Sequence, residues 1–79
     1  MSQVREVTAR VAGYECYLNE ETFGPGDVTT YVHVTGKLNG REYTSSLEAA
    51  ESDGRLDETV HISNEALDKI RSWAERNGY

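Results

Sequence analysis

His33, Ser46 and His61 are the side chains whose types could bind a metal or transfer protons. The strand pairing that the turns predict places His33 opposite Ser46, and Ser46 opposite His61. Neighbouring strands lie about 4.8 Å apart, so the two imidazoles start roughly 10 Å apart with the serine between them. A zinc site needs a third protein ligand, and none is evident beside them. We therefore expect two exposed polar histidines, and neither a metal nor a cofactor.

The serine between the histidines does not indicate a hydrolase. A Ser-His nucleophile requires an orienting acid and an oxyanion pocket, and an open sheet face offers neither. Cys16 is the only cysteine, so it has no cysteine partner for a disulfide or a metal site. The glycines of "FGPGD" lack the spacing and the lysine of a phosphate-binding loop. The sequence therefore predicts no catalytic residues.

Two dipeptides, Asn39-Gly40 and Asp53-Gly54, would position the polar row, because both are typical of two-residue type I′ hairpins. The two predicted registers agree with each other. Both align the same apolar side chains on the opposite face of the sheet, and a slip of one residue would scatter them. That apolar set comprises Val28, Val32, Val34, Tyr43, Leu47, Val60 and Ile62.

The N-terminal third of the chain is less regular. The segment "VREVTARVAGYECYL", residues 4–18, is rich in valine and threonine, which favours one strand with a bulge at Gly13. The spacing of its apolar residues also fits a helix, so that alternative stays open. The segment "NEETFGPGD", residues 19–27, predicts a loop because Gly24, Pro25 and Gly26 interrupt it.

The C-terminal segment has helical periodicity. Ser63 is a good N-cap, Glu65 follows in the first turn, and Asn77-Gly78 supplies a C-cap. We expect a helix over residues 64–77. Its apolar side consists of Ala66, Leu67, Ile70, Trp73 and Ala74. The predicted fold is one α+β domain over residues 1–79, a four-stranded antiparallel β-meander with one C-terminal α-helix packed on one face.

Composition limits the partners. The chain has 79 residues, with 14 acidic and 8 basic side chains and a formal charge of -6. Such a charge repels nucleic acid and anionic lipid and favours a basic partner surface. The N-terminus contains no apolar run long enough for a signal peptide or a membrane span. With a single cysteine, these features predict a protein of the reducing cytoplasm that binds neither nucleic acid nor membranes directly.

The predicted meander gathers acidic side chains at one end of the sheet. These are Glu20, Glu21, Asp27, Glu48, Glu51, Asp53, Asp57 and Glu58. Acids in turns often serve only solubility, and the uncovered sheet face is often only solvated. The functional alternative is an acidic pole that imitates a phosphate backbone and binds the Lys/Arg surface of a nucleic-acid-binding protein. Tyr31, on the uncovered face, would be a second contact.

The segment "VHISNEALDKIRSWAERNGY", residues 60–79, resembles the strand and first helix of ribbon-helix-helix repressors. It also resembles the strand-helix part of the small actinobacterial nucleoid protein's dimerisation domain. The sequence stops at Tyr79 without a second helix, and no basic strand precedes the first helix. The resemblance therefore implies no DNA binding, but it allows dimerisation through a strand.

As a whole, the chain resembles the small acidic anti-CRISPR proteins of phages in size, charge and architecture, without a motif that assigns individual residues. The resemblance implies a non-enzymatic, phage-encoded inhibitor in the host cytoplasm. Such an inhibitor binds a CRISPR effector (Cas) subunit and blocks DNA access by steric cover or by charge mimicry of DNA. The alternative is a homodimeric structural or accessory module, joined through the open sheet face or an unpaired edge strand.

Overall fold

The computed structural model describes residues 2–79, with side chains from Val4 onwards. Its elements are β1 Ser2–Val11, β2 Tyr14–Gly24, β3 Asp27–Leu38, β4 Arg41–Ser46, α1 Leu47–Asp53, β5 Arg55–Leu56, β6 Val60–His61 and α2 Asn64–Arg76. Strands β1 to β4 form an antiparallel sheet in sequence order, and β5 and β6 form a separate ribbon. The predicted α+β fold, with four antiparallel strands and a C-terminal helix, is confirmed. Neither helix in this range is long and apolar enough to cross a membrane.

Strands β1 and β2 form a hairpin. The single bulged strand predicted for residues 4–18, and the helix left open as its alternative, are therefore both wrong. Ala12 and Gly13 both have positive φ, 54° and 86°, so the chain reverses there and β1 pairs with β2. An alanine rarely takes this conformation, which is why the turn was not evident in the sequence. Residues 19–24 are not a loop, because they continue β2 and pair with β3. The bulges of the sheet lie beside Val4 and Phe23.

Asp53-Gly54 ends a helix instead of forming a hairpin. Ser46 caps α1 by accepting a hydrogen bond of 3.2 Å from the Ala49 N–H. Gly54, with a φ of 67°, ends α1 by donating its N–H to the Ala50 carbonyl at 2.8 Å. A left-handed glycine serves a type I′ turn and a helix C-cap equally well. The serine cap and the helix-forming run Leu-Glu-Ala-Ala-Glu favour the helix.

The α1 helix changes the pairing predicted after β4. His61 pairs with Arg55 across the ribbon and does not pair with Ser46. Leu47 is buried in α1 and does not lie opposite Val60 in a strand. The Asn39-Gly40 hairpin does form as predicted, with its register running from the turn to the end of β4. The sheet still has four strands, because the N-terminal segment supplies two of them. The segment that was predicted as the fourth strand forms the β5–β6 ribbon instead.

The helices and the ribbon pack on one face of the sheet around a common core. Ser63 caps α2 by accepting a hydrogen bond of 3.1 Å from the Ala66 N–H, as its position predicts. Trp73 is the bulkiest core residue and is 8% exposed. The buried set is Cys16, Leu18, Val32, Val34, Leu47, Ala50, Leu56, Ile62, Ala66, Leu67, Ile70, Trp73 and Ala74. The apolar side predicted for the C-terminal helix is thus confirmed.

The helices cover only part of the length of the sheet. A helix rises about 1.5 Å per residue and a strand about 3.3 Å. The 13 residues of α2 therefore span about 20 Å, and the 12 residues of β3 span about 40 Å. The molecule is correspondingly elongated, with extents of 42 × 22 × 21 Å. The β2–β3 hairpin extends past the helices, and Val28, which was expected in the core, is exposed there.

Candidate functional site

Large apolar side chains are exposed where the β2–β3 hairpin extends past the helices. Among the described side chains, Val4 is 56% exposed, Phe23 47%, Val28 51% and Tyr31 38%. The pairing brings them to one end, because the start of β1 lies beside the end of β2, and the β2–β3 turn separates Phe23 from Val28. Exposed apolar groups concentrated in one region typically mark contact sites for other proteins.

Carboxylates accompany these apolar side chains. Glu20 and Glu21 lie near the end of β2, and Asp27 begins β3 after the turn. Glu48, in the first turn of α1, borders the same part of β3. The hairpin-end surface, as we name it, wraps around this end of the sheet, because strand alternation places Glu20 and Val28 on the helix side and Tyr31 on the opposite face. It comprises Val4, Glu20, Glu21, Phe23, Asp27, Val28, Tyr31 and Glu48. Five of the nine residues predicted to bind a partner, Tyr31 and these four acids, therefore lie on it.

The hairpin-end surface is acidic. Glu20 forms an ion pair with Arg5, which offsets its charge. Glu21 accepts a hydrogen bond of 3.0 Å from a neighbouring asparagine amide, and Glu48 accepts one of 2.8 Å from the hydroxyl of Tyr79. Amide and hydroxyl donors are neutral, so Glu21 and Glu48 keep their net charge.

The other four predicted carboxylates, Glu51, Asp53, Asp57 and Glu58, do not line the cleft or the β2–β3 turn. Arg71 in α2 donates two hydrogen bonds of 2.6 Å to Glu51, and this contact lowers the pKa of Glu51. Asp57 and Glu58 form the turn of the ribbon, which packs on β3 near the β3–β4 turn, away from the hairpin-end surface. The single acidic pole expected from the sequence is therefore wrong, because α1 ends at Asp53 and the chain then leads toward the other end of the sheet.

A cleft follows the edge of β3 at this end. Strand β4 ends at Ser46, opposite His33. Residues 27–32 of β3 therefore have no partner strand on that side among the elements from Ser2 onwards. The resulting cleft has a volume of about 230 Å³. Its lining residues are Thr29, Thr30, Tyr31, Val32, His33, Ser46, Glu48 and Tyr79.

Tyr79 is held in place beside the cleft by the two helices. Its hydroxyl donates to Glu48 in α1, and the guanidinium of Arg71 in α2 lies 5.5 Å from the centre of its ring. Burial of the ring and the hydrogen bond to Glu48 both raise the pKa of Tyr79. The Arg71–Glu51 ion pair joins the two helices. Arg71 therefore holds α2 against α1 and also contacts Tyr79, which forms one wall of the cleft.

The sheet face opposite the helices carries aromatic and polar side chains. Tyr17 and His33 stack with ring centroids 6.4 Å apart, and the Tyr17 hydroxyl donates to Glu6 at 2.8 Å, which raises the pKa of Tyr17. His33 lies opposite Ser46 as predicted, but His61 belongs to the ribbon on the helix side, so the predicted row of three is wrong. In the part of the chain that the structure describes, no three His, Cys, Asp or Glu side chains are grouped to hold a metal.

Cys16 lies in the core, on the helix-covered face of β2. Burial raises the pKa of its thiol to about 11. A thiol reacts as a nucleophile through its thiolate form, and this shift keeps the thiolate population very small near neutral pH. Cys16 therefore contributes to packing.

Val4, Phe23 and Val28 are candidate site residues that the sequence patterns did not predict. Phe23 fell in the expected loop, and Val28 in the expected core. The signal that could have revealed them is the turn segment "GPG" between them, because it can connect two long strands as well as end them. The chain matches no family model, no curated protein and no solved structure. Function is therefore inferred from the geometry of the hairpin-end surface.

Proposed function

We propose that the protein is a non-enzymatic binding protein that contacts a basic protein partner through the hairpin-end surface. The observation that carries this proposal is the concentration of exposed apolar side chains, among them Phe23 and Val28, beyond the reach of the helices. Aromatic and aliphatic side chains at the centre of an interface contribute most of its binding energy. The surrounding carboxylates favour a partner with Lys and Arg around an apolar pocket.

The overall charge supports the same class of partner. A formal charge of -6 accelerates association with a basic surface and repels nucleic acid and anionic membranes. A nucleic-acid-binding protein presents such a surface, and a CRISPR effector subunit, which the resemblance to anti-CRISPR proteins implies, is one protein of this kind. Because the acids are divided between two regions, steric contact at the hairpin end is better supported than mimicry of a continuous phosphate backbone. The inhibitory role, the phage origin and the cytoplasmic location stay predictions.

Substitution of Phe23 tests the proposal. We expect Phe23→Ser to weaken binding of the purified partner by about thirtyfold, the effect typical of an aromatic group at the centre of an interface. The matched control is Leu38→Ser, because Leu38 is 44% exposed and lies beside the β3–β4 turn at the other end of the sheet. The partner is first isolated by pull-down with the tagged chain, and affinity is then measured by titration. Equal affinities for the two variants would refute the proposal.

Charge reversal tests the electrostatic part. Glu21→Lys with Asp27→Lys changes the formal charge from -6 to -2, since each substitution adds two charges. Asp53→Lys with Asp68→Lys makes the same change at exposed positions outside the hairpin-end surface. We expect the first pair to weaken binding and to reduce its salt dependence much more than the second. Similar losses in both pairs would indicate a general charge effect and would contradict a contact at this surface.

A homodimeric module stays the alternative. The sheet order makes β1 and β4 its edge strands, and an unpaired edge can join a second copy. Sedimentation of the free protein distinguishes the two functions, because the binding protein proposed here does not require self-association.

A further inference from the structure

We propose that the β3 edge at residues 28–31 binds an extended segment of the partner protein as an additional strand of the sheet. This inference rests on the proposed function, and it specifies how the partner is held. The segment would occupy the cleft beyond Ser46, where β4 would lie if it continued. Strand addition of this kind gains affinity from main-chain hydrogen bonds and specificity from the alternating side chains.

The register of the β3–β4 hairpin indicates which backbone groups face the cleft. In a two-residue hairpin, the pair that closes the turn, here Leu38 and Arg41, exchanges hydrogen bonds. Hydrogen-bonded pairs then recur at every second residue of an antiparallel strand. No register shift occurs between β3 and β4, so the even-numbered residues of β3 direct their N–H and C=O groups toward β4.

Continuing this alternation beyond β4 places the backbone N–H and C=O groups of Val28 and Thr30 at the unpaired edge, whereas Val32 is buried where α1 begins. The intervening residues, Thr29 and Tyr31, direct theirs toward β2, with which this part of β3 is paired. No strand in the described chain pairs with residues 28–31 on the cleft side. An edge of this kind is a template for another strand unless the protein blocks it. Neither a proline nor a lysine occurs between residues 27 and 36.

The walls of the cleft specify the chemistry of the occupant. Glu48 and the hydroxyl of Tyr79 lie at the end of the cleft next to Ser46, and Asp27 lies at the other end of the free edge. Charge complementarity therefore favours a segment that carries Lys or Arg. Val28 and Tyr31 are exposed along the edge, so β-branched or aromatic side chains would pack beside them. The occupant we infer is an extended, basic, proline-free peptide segment of a protein.

Proline at position 30 distinguishes edge pairing from other contacts. Thr30→Pro removes an N–H that faces the cleft and leaves the hydrogen bonds to β2 in place, and proline is tolerated where a strand's N–H faces solvent. Thr30→Val is the matched control, because it changes the side chain and keeps the N–H. The probe is a displayed library of random peptides of about ten residues, long enough to cover the free edge. Thermal unfolding by circular dichroism verifies that each variant is folded.

We expect the selected peptides to contain Lys or Arg among alternating β-branched or aromatic residues. They should bind the wild type and Thr30→Val alike, and Thr30→Pro at least about tenfold more weakly. A second measurement needs no variant: amide hydrogen exchange should be fast at Val28 and Thr30 in the free protein and slow when a selected peptide is bound. Protection by the peptide at other residues, equal binding to Thr30→Pro, or failure to select peptides would overturn the inference.

Three further outcomes have defined meanings. If Phe23→Ser weakens binding of the partner and Thr30→Pro does not, the hairpin-end surface is used without strand addition, and only the inference fails. If Thr30→Pro blocks peptide binding and Phe23→Ser has no effect on the partner, the edge binds peptides and the proposed function fails. A dimer of the free protein that Thr30→Pro dissociates would identify a second copy as the occupant and overturn the assignment to a partner.

Discussion

Gly36 in β3 lies directly under Leu56, the residue through which the ribbon packs on the sheet. A Cβ atom at position 36 would lie 2.8 Å from Leu56 Cδ1 and 3.2 Å from the nearest ring carbon of Tyr14. Leu56 is fully buried, so its side chain has no space into which to rotate. Adding a methyl group to a packed core typically costs about 1–3 kcal/mol. We expect Gly36→Ala to lower the free energy of unfolding by an amount in this range.

A double-mutant cycle with Leu56 makes the prediction quantitative. Leu56→Ala alone should cost about 2–5 kcal/mol, the usual cost of a buried leucine truncated to alanine. In the double variant, the methyl group of Ala at position 36 fills part of the space that Leu56 leaves. The combined loss should therefore be smaller than the sum of the single losses by about 0.5–3 kcal/mol. A domain of 79 residues has a total stability of about 4–12 kcal/mol, so each single loss is a large and measurable fraction of the total.

Urea unfolding followed by the fluorescence of Trp73, the only tryptophan, measures all four proteins of the cycle. Gly24→Ala is the matched control, because no described atom lies within 4 Å of a Cβ built there. It should change the free energy of unfolding by less than about 0.5 kcal/mol. Additive losses, or a Gly36→Ala variant as stable as Gly24→Ala, would refute the packing of β5 on the sheet. The meander predicted from the sequence would give additive losses, because in that arrangement the side chain at position 56 does not lie over Gly36.

Two predictions concern pH. Burial raises the pKa of the Cys16 thiol to about 11, so the stability it contributes is complete below about pH 8.5 and falls as the pH rises toward 11, because the unfolded chain ionises first. The wild type should lose up to about 3 kcal/mol more than Cys16→Ala across this interval in urea titrations, and equal losses would contradict the burial of the thiol. Arg71 lowers the pKa of Glu51, so the stabilisation by this pair is present above about pH 4.3 and is lost as the pH falls below it. Glu51→Gln should therefore be less stable than the wild type at neutral pH and equally stable in acid; a stability difference that does not change with pH would rule out the ion pair.

The elements that were predicted correctly depend on local signals. The Asn39-Gly40 turn supplies two residues that tolerate positive φ, and its flanking strands have a compatible alternation. Helix α2 has a serine N-cap and an apolar stripe at helical spacing, and both require only contacts within a few residues. For such elements the local conformational preference and the burial of one face agree, so a short window of sequence is sufficient.

The Asp53-Gly54 dipeptide illustrates the limit of such windows. A glycine with positive φ suits a hairpin turn and a helix C-cap alike, so the preceding segment must decide between strand and helix. Burial of Leu47 and Ala50 against the sheet stabilises the helix, and that burial exists only in the folded molecule. The β1–β2 turn was missed for a related reason, since the pairing of the two strands stabilises the unusual positive φ of Ala12.

The composition and periodicity of the chain were sufficient to indicate a small acidic α+β protein and to predict a basic partner surface, because charge and periodicity are properties of the residues themselves. The position of the proposed binding surface was not available in this way. Which side chains are exposed depends on the length of the helices relative to the strands, and with the longer helix about half as long as β3, Phe23 and Val28 stay uncovered. The direction of the chain after Asp53 likewise determines which acids lie together, and that direction depends on long-range packing.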